Sequence, residues 1–232
     1  MAINVAGASR RLVERTPFRH YDPIILVAAA VAGLSLAAAS YSTLPGDLAI
    51  TRFMDRFDHP WLEFMMRAAS WPVHKKRFLF VFIPVLALIF YRHRSHAVSL
   101  AMVAVAGVYL LPIIKELIGR VRPASTSPLQ DGFPSGHCFL AVLLFGSLFY
   151  MADRLIGPRP RLVVLFRWAM VLAILAVGVS RVYLGHHWTS DVIGGYLWGL
   201  LFLMIAFRFA NTFNSHFAKP DTAGRSEREL SS

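Results

Sequence analysis

Long blocks of apolar residues constrain this chain more than any other feature of its sequence. Six such blocks occupy residues 24–41, 78–91, 97–114, 139–152, 162–184 and 192–210. A helix needs about 20 apolar residues to cross a bilayer, and only 16% of the chain is charged, against about 25% in soluble domains. The sequence therefore predicts an all-α integral membrane bundle of six transmembrane helices, and it excludes a water-soluble enzyme, a disordered chain and a fibrous repeat.

Two of the six blocks are unusual. The first follows a basic lead in residues 10–19, which is the charge order of a signal peptide, but its apolar core exceeds the usual length of about 7 to 15 residues. We therefore predict a transmembrane helix there. Block 78–91 is short, so we expect it to borrow flanking residues while Lys and Arg side chains at its ends snorkel towards the interface.

Segment 44–77, between the first two spans, has the pattern of two short amphipathic helices. Ile50, Phe53, Met54 and Phe57 are spaced i, i+3, i+4, i+7, and the same spacing repeats after Pro60. The helices either lie in the membrane interface or pack on the surface of the bundle, and the pattern fits both alternatives.

The distribution of charge predicts the topology. We expect one domain over residues 1–213 and a polar, disordered tail over 214–232. Six spans place both termini on one side, and the loops richer in Lys and Arg mark that side as the cytoplasm. Loops 115–133 and 183–191 then face the exterior or periplasm. The net charge of +11 lies in short clusters between apolar blocks, so nucleic-acid binding is not expected.

Two further features indicate packing rather than chemistry. The single cysteine, Cys138, excludes an internal disulfide and is interpreted as a small core residue. The spacing of Gly195 and Gly199 predicts close packing of the last helix against a neighbour.

Ionisable residues in or beside membrane spans are candidates for function, because they are costly to bury. Lys115 and Arg122 are seven residues apart, which places them on one helical face while the helix lasts. Pro123 predicts that the helix ends near Arg122. The alternative for this pair is an ordinary positive cap at a helix C-terminus.

A second set, Pro134-Ser135-Gly136-His137, opens the fourth span. Proline at the first helical position would leave the N–H groups of Ser135 and Gly136 free at the positive end of the helix dipole, where phosphate binds. His137 is then within reach as an acid or a base. The alternative is that His137 is a buried structural residue.

A third set is Ser180-Arg181 followed by His187 and Asp191. His187 and Asp191 are spaced i, i+4, so at the start of the last helix they can meet on one face. A carboxylate that holds one imidazole N–H leaves the other nitrogen free as a nucleophile. His186 is one residue off that spacing, and we interpret it as a pocket or interface residue.

Together the three sets resemble the pattern of the type-2 phosphatidic acid phosphatases. That pattern is K-x6-R-P, then P-S-G-H, then S-R-x5-H-x3-D, and all its identities are present between residues 115 and 191. The cations, the helix N-terminus, the two histidines and the carboxylate suit the binding of a tetrahedral oxyanion without a metal. No metal site and no cofactor are expected.

The resemblance implies roles for individual residues. His187 would be the nucleophile that forms a phosphohistidine, Asp191 would orient it, and His137 would be the general acid and then the base. The remaining residues of the pattern would bind the phosphate oxygens: Lys115, Arg122, Ser135, Gly136 and Arg181. Arg120 and His186 lie outside the pattern and receive no role.

Sequence and resemblance together predict a lipid phosphatase of the bacterial inner membrane, acting at the non-cytoplasmic face. Undecaprenyl diphosphate is the first expected substrate, because compact bacterial proteins resembling this chain often recycle that carrier. Phosphatidylglycerophosphate, phosphatidic acid and lipid A phosphates remain open, as does the oligomeric state. Two alternatives belong to other classes of protein. Vanadium haloperoxidases have a similar pocket but resemble soluble enzymes. Non-catalytic lipid carriers or flippases tend to place their sites near the membrane midplane, whereas these residues lie at span ends.

Overall fold

The computed structural model describes residues 22–74, 77–123 and 132–217, with side chains up to residue 214. These residues form eight helices, whose bounds follow. They are α1 (Pro23–Ser40), α2 (Asp47–Met54), α3 (Pro60–Ser70), α4 (Phe78–Arg92), α5 (Arg94–Ile118), α6 (Gly136–Ile156), α7 (Pro160–Tyr183) and α8 (Thr189–Phe217). The predictions for the basic N-terminal lead, for loop 124–131 and for the tail beyond residue 217 lie outside the described residues.

Five of these helices are long and apolar enough to cross a membrane: α1, α5, α6, α7 and α8. Helix α4 has 15 residues and gains only Arg92 beyond the predicted block. At 1.5 Å per residue it rises about 22 Å, less than the roughly 30 Å of a hydrocarbon core. The all-helical membrane architecture is thus confirmed, whereas the count of six spans is not.

Local chemistry explains where several helices begin and end. Asp22 caps α1, where its side chain accepts a hydrogen bond of 3.0 Å from the N–H of Ile24, and Pro23 takes the first helical position. Helix α5 ends at Ile118 because Gly119 adopts a φ of +60°, a conformation that favours glycine.

Helix α8 is the centre of the bundle and contacts α1, α5, α6 and α7. A Cβ atom on Gly195 would lie 2.8 Å from Cβ of Cys138, and one on Gly199 would lie 2.8 Å from Cβ of Val142. The predicted close packing of the last helix is therefore confirmed, and its partner is α6. Cys138 is fully buried in this contact, as expected of a core residue.

Segment 44–77 forms the two predicted short helices, α2 and α3. Helix α3 packs against α7, while Trp61 and Phe64 are 65% and 67% exposed. One side of the segment therefore covers the bundle, and the other presents large apolar side chains of the kind that lie in a membrane interface.

Candidate active site

A cavity of about 900 Å³ lies between α3, the start of α6 and the loop that joins α7 to α8. Four arginines and four histidines line it: Arg67, Arg77, Arg122, Arg181, His74, His137, His186 and His187. No carboxylate is present among the described lining residues. A cavity lined by one sign of charge focuses the field and attracts anions.

A turn after α7 brings His187 to the cavity wall. Gly185 adopts a φ of +68°, and the N–H groups of His186 and His187 both donate to the carbonyl oxygen of Arg181, at 3.0 and 3.2 Å. Helix α8 begins only at Thr189. His187 therefore meets Asp191 across the start of the helix, and the prediction that the two residues share a helical face is wrong in its geometry.

His187 and Asp191 are nevertheless adjacent and buried. Nδ1 of His187 lies 3.6 Å from Oδ2 of Asp191, and their side chains are 3% and 0% exposed. This distance exceeds a hydrogen bond, so the contact between the two side chains is electrostatic. Because Nδ1 faces the carboxylate, Nε2 is the nitrogen left for the cavity.

The surroundings of His187 keep its imidazole neutral. Burial lowers the pKa of His187 to about 4; Asp191 opposes this decrease, while Lys115 and Arg122 add to it. At neutral pH the ring thus retains the lone pair that a nucleophile requires.

Helix α6 carries the second histidine. It begins at Gly136 with Ser135 as its N-cap, so Pro134 precedes the cap and does not occupy the first helical position as predicted. The N–H of Ser135 is not free either, since it donates to the carbonyl oxygen of Asp191 at 3.0 Å. His137 lies in the first turn and lines the cavity.

Two polar atoms at this helix start have no hydrogen-bond partner among the described residues. They are Nε2 of His137 and the hydroxyl oxygen of Ser135, and both are buried. Unpaired buried polar atoms are costly and are concentrated at functional sites. Both groups are therefore available to a ligand, in agreement with the roles that the sequence pattern implies.

The arginines of the pattern lie at the cavity, whereas its lysine does not line it. Arg181 is 6% exposed; its Nη1 donates to Oγ of Ser70 at 3.1 Å, and its buried Nε has no partner among the described residues. Arg122 also lines the cavity. Because α5 ends at Ile118, Lys115 and Arg122 do not share a helical face, contrary to prediction. Nζ of Lys115 donates to the carbonyl oxygen of Gly132 at 3.3 Å.

Behind His187, the structure places a buried group of charges that the sequence did not indicate. Nη1 of Arg120 donates to Oδ1 of Asp191 at 2.7 Å, and Nη2 donates to Oδ2 of Asp47 at 2.8 Å. Nη1 also donates to Oγ of Ser190 at 2.7 Å. Arg120 at a span end was visible as an ionisable residue, but Asp47 had no signal, because Arg120 and Ser190, with which it forms this group, are 73 and 143 residues away.

Comparison with known proteins identifies the family to which the chain belongs. Residues 95–215 of the chain match the PAP2 superfamily, a match that includes all of the site residues implied by the sequence pattern. The chain belongs to the PAP2 superfamily. This assignment confirms the resemblance to type-2 phosphatidic acid phosphatases and places the protein among the membrane lipid phosphatases.

Individual PAP2 relatives have different names. The chain is 30% identical over 182 residues to phosphatidylglycerophosphatase B of Bacillus subtilis, covering 74% of this chain and 88% of the relative. It is 30% identical over 134 residues to undecaprenyl-diphosphatase of Sulfolobus acidocaldarius, covering 52% and 59%. The crystal structure of a transmembrane PAP2-type phosphatidylglycerolphosphate phosphatase from Bacillus subtilis superimposes with a TM-score of 0.69, at 25% identity and with coverage of 84% and 98%.

Several cavity residues lie outside the PAP2 pattern and belong mostly to segment 44–77. The guanidinium of Arg77 lies 5.4 Å from the ring centre of Trp71, and Nε of Arg67 donates to Glu63 at 2.8 Å. His186 lines the cavity, which confirms its interpretation as a pocket residue, and burial with the nearby Arg181 lowers its pKa to about 4. The segment thus forms part of the wall of the PAP2 site.

Proposed function

We propose that this protein hydrolyses a lipid phosphate or diphosphate at the non-cytoplasmic face of the membrane, through a phosphohistidine on His187. The observation that supports this most is the presence of His187 and His137 on the wall of one cavity whose other charged lining residues are arginines. His187 is neutral and its Nδ1 lies 3.6 Å from a carboxylate oxygen of Asp191, and Nε2 of His137 has no hydrogen-bond partner among the described residues.

The proposed chemistry balances between the two histidines. Nε2 of His187 attacks phosphorus, the bond to the leaving oxygen breaks, and His137, whose imidazolium form the bound phosphate anion favours, gives that oxygen its proton. Neutral His137 then takes a proton from water, whose oxygen attacks phosphorus as the P–N bond breaks. Inorganic phosphate leaves and both residues return to their initial states. Arg122 and Arg181 stabilise the equatorial charge, a role that we assign to side-chain cations in place of a metal.

We propose undecaprenyl diphosphate as the first candidate substrate. A single phosphoryl group needs only the arginines of the pattern, and the cavity adds Arg67, Arg77 and His74. These extra groups suit the second phosphate of a diphosphate. Phosphatidylglycerophosphate, phosphatidic acid and lipid A phosphates are the alternatives. If the proposal holds, Arg77→Ala lowers kcat/KM for a prenyl diphosphate more than for the matching monophosphate, which a panel of lipid phosphates measures.

A rapid-quench experiment tests the phosphohistidine directly. His187→Ala abolishes turnover, because no covalent intermediate can form. In His137→Ala an activated aryl phosphate, whose leaving group needs no proton, still transfers its phosphoryl group, but hydrolysis lacks its base. Labelled phosphoenzyme, labile to acid and stable to alkali, therefore accumulates in this variant.

The double variant His137→Ala/His187→Ala is the control for that experiment. If His137→Ala carries no more label than the double variant, the roles are assigned wrongly or water attacks directly. Release of inorganic phosphate by the purified wild-type protein separates an enzyme from a lipid carrier or flippase, which releases none.

A further inference from the structure

We propose that Asp47 and Arg120 are positioning residues for the reaction: together they hold Asp191 in the orientation in which it positions His187. The inference rests on the proposed phosphohistidine chemistry. We call Asp47, Arg120 and Ser190 the brace. None of them lines the cavity, so the brace acts through Asp191 alone.

The brace fixes the carboxylate of Asp191 from one side. Oδ1 of Asp191 accepts from Nη1 of Arg120 at 2.7 Å, and Oδ2 accepts from the N–H of Trp188 at 2.9 Å. With one donor on each oxygen, the carboxylate plane has little freedom, and Oδ2 is the oxygen that faces His187. Without Arg120, the bond from the Trp188 N–H would be the one hydrogen bond to this carboxylate that remains among the described residues.

Arg120 is itself fixed by several acceptors. Nη2 donates to Oδ2 of Asp47 at 2.8 Å and Nε to the carbonyl oxygen of Ser42 at 3.1 Å. The side chains of Arg120 and Asp47 are each 1% exposed. Only a planar guanidinium, with its five donors in a fixed fork, can satisfy these directions together; a lysine cannot.

Asp47, at the start of α2, connects the brace to segment 44–77. It accepts from the N–H of Leu44 at 2.8 Å, and from the N–H and the hydroxyl of Ser190 at 2.9 and 2.7 Å. Burial raises the pKa of Asp47, but these hydrogen bonds and the one from Arg120 outweigh it, so the pKa is lowered overall. Asp47 is therefore ionised and gives Arg120 a second carboxylate to bind.

The arrangement also sets how much negative charge Asp191 presents to His187. Two carboxylates share one guanidinium, so the three residues carry a net charge of −1 and Asp191 is only partly neutralised. Without Arg120, Asp191 presents its full negative charge to His187. Without the charge of Asp47, Arg120 pairs with Asp191 alone and neutralises more of its charge. The other charged or titratable groups that face His187 stay in place in both variants: Lys115, Arg122, Arg181, His137 and His186.

The experiment compares purified, full-length wild type, Arg120→Gln, Arg120→Lys and Asp47→Asn in kcat, KM and the pH dependence of kcat/KM. We expect Arg120→Gln to lose about 10- to 100-fold in kcat, as is typical when a partner behind a functional residue is removed, with little change in KM. In this variant the fall in kcat/KM at low pH, the acid limb of the pH profile, moves to higher pH. The uncompensated carboxylate of Asp191 causes this, because it favours the imidazolium of His187.

The other variants separate positioning from mere stability. Arg120→Lys keeps the charge and returns the acid limb towards the wild-type pH, without recovering all of kcat. Asp47→Asn lowers kcat while its acid limb stays or moves to lower pH, the opposite direction to Arg120→Gln. If Arg120→Gln does not fold, this contrast between Asp47→Asn, Arg120→Lys and wild type carries the test.

Arg208→Gln is the matched control. Arg208 lies on α8, pairs with Asp22 at the start of α1, and is far along the helix from Asp191. The same loss of charge there is expected to leave kcat within about twofold of wild type. The proposal is overturned if Arg120→Gln and Asp47→Asn leave kcat unchanged. It is also overturned if their losses in kcat come with no movement of the acid limb and Arg208→Gln shows the same losses. A His137→Ala protein that carries no more label than the His137→Ala/His187→Ala double variant refutes the proposed chemistry instead.

Discussion

Gly195→Ala should impair catalysis although Gly195 is not itself a residue of the catalytic pattern. A methyl group there would lie 2.8 Å from Cβ of Cys138 and closer still to the carbonyl oxygen of Ser135. Carbon atoms pack at about 3.5 to 4.0 Å, so the neighbours must move by about 1 Å. The Ser135 carbonyl cannot swing aside, because it accepts the N–H of Phe139 and so begins α6. The first turn of α6, with His137, must shift instead.

The expected loss follows from that shift. A misplacement of about 1 Å in a catalytic group can lower the rate about 100-fold, while overpacking lowers the free energy of unfolding by about 1 to 3 kcal/mol. Steady-state kcat/KM on a lipid phosphate and thermal unfolding in detergent measure the two effects separately.

Two glycines provide controls for Gly195→Ala. Gly199→Ala brings a methyl group to the same 2.8 Å from a Cβ atom of α6, but at Val142 and further along the helix. It should destabilise the protein by a similar amount and lower kcat/KM much less. Gly33→Ala, in α1, meets nothing within 4 Å and should be neutral or slightly stabilising. If Gly195→Ala and Gly199→Ala lose equal activity, the displacement of His137 is not the cause.

Three further outcomes are expected. After correction for ionisation of the substrate, kcat/KM falls as the pH drops through about 4. Burial lowers the pKa of His187 and keeps the ring neutral above that pH, and below it the ring takes up a proton. A fall in kcat/KM centred near pH 6.5 would contradict this. Vanadate inhibits and EDTA does not; activity lost in EDTA and restored by a divalent ion would refute the cation-only site. A C-terminal reporter lies in the cytoplasm while a tag in residues 124–132 is accessible from outside, and the reverse result would invert the topology.

The sequence predicted the fold as far as hydropathy and helical spacing reach. Apolar blocks identify membrane helices because no water is available to satisfy an exposed backbone in the hydrocarbon core. The same signal leaves α4 unconfirmed as a span, since its 15 residues are apolar enough but shorter than the five long helices. The spacing of apolar residues predicted helices α2 and α3. It did not decide whether they lie in the membrane interface or pack on the bundle, because apolar side chains suit both places.

Local errors at the site have a common cause. Pro134 and the end of α5 were assigned from propensity, yet a glycine with positive φ ends α5 at Ile118 and the N-cap falls at Ser135. Helix α5 ends earlier and α6 begins later than predicted, and Arg122 and His137 beside these two ends line the cavity. His187 likewise reaches Asp191 through the turn at Gly185, not along a helix. Spacing alone does not give these contacts, because tertiary packing determines how the residues meet.

The contact between Asp47 and Arg120 marks the limit of sequence reasoning for this chain. A carboxylate that follows a glycine at the start of a short helix is indistinguishable, in one sequence, from an ordinary residue in the first turn. Its burial becomes visible only when α2 packs against α7 and α8. Asp47 then meets Arg120 and Ser190, which are 73 and 143 positions away in the sequence. Two buried carboxylates and one arginine are retained at considerable desolvation cost. Such a cost is understandable where the geometry of a catalytic histidine depends on it, which is why the pH dependence of Arg120 and Asp47 variants, more than their stability, decides what this buried group does.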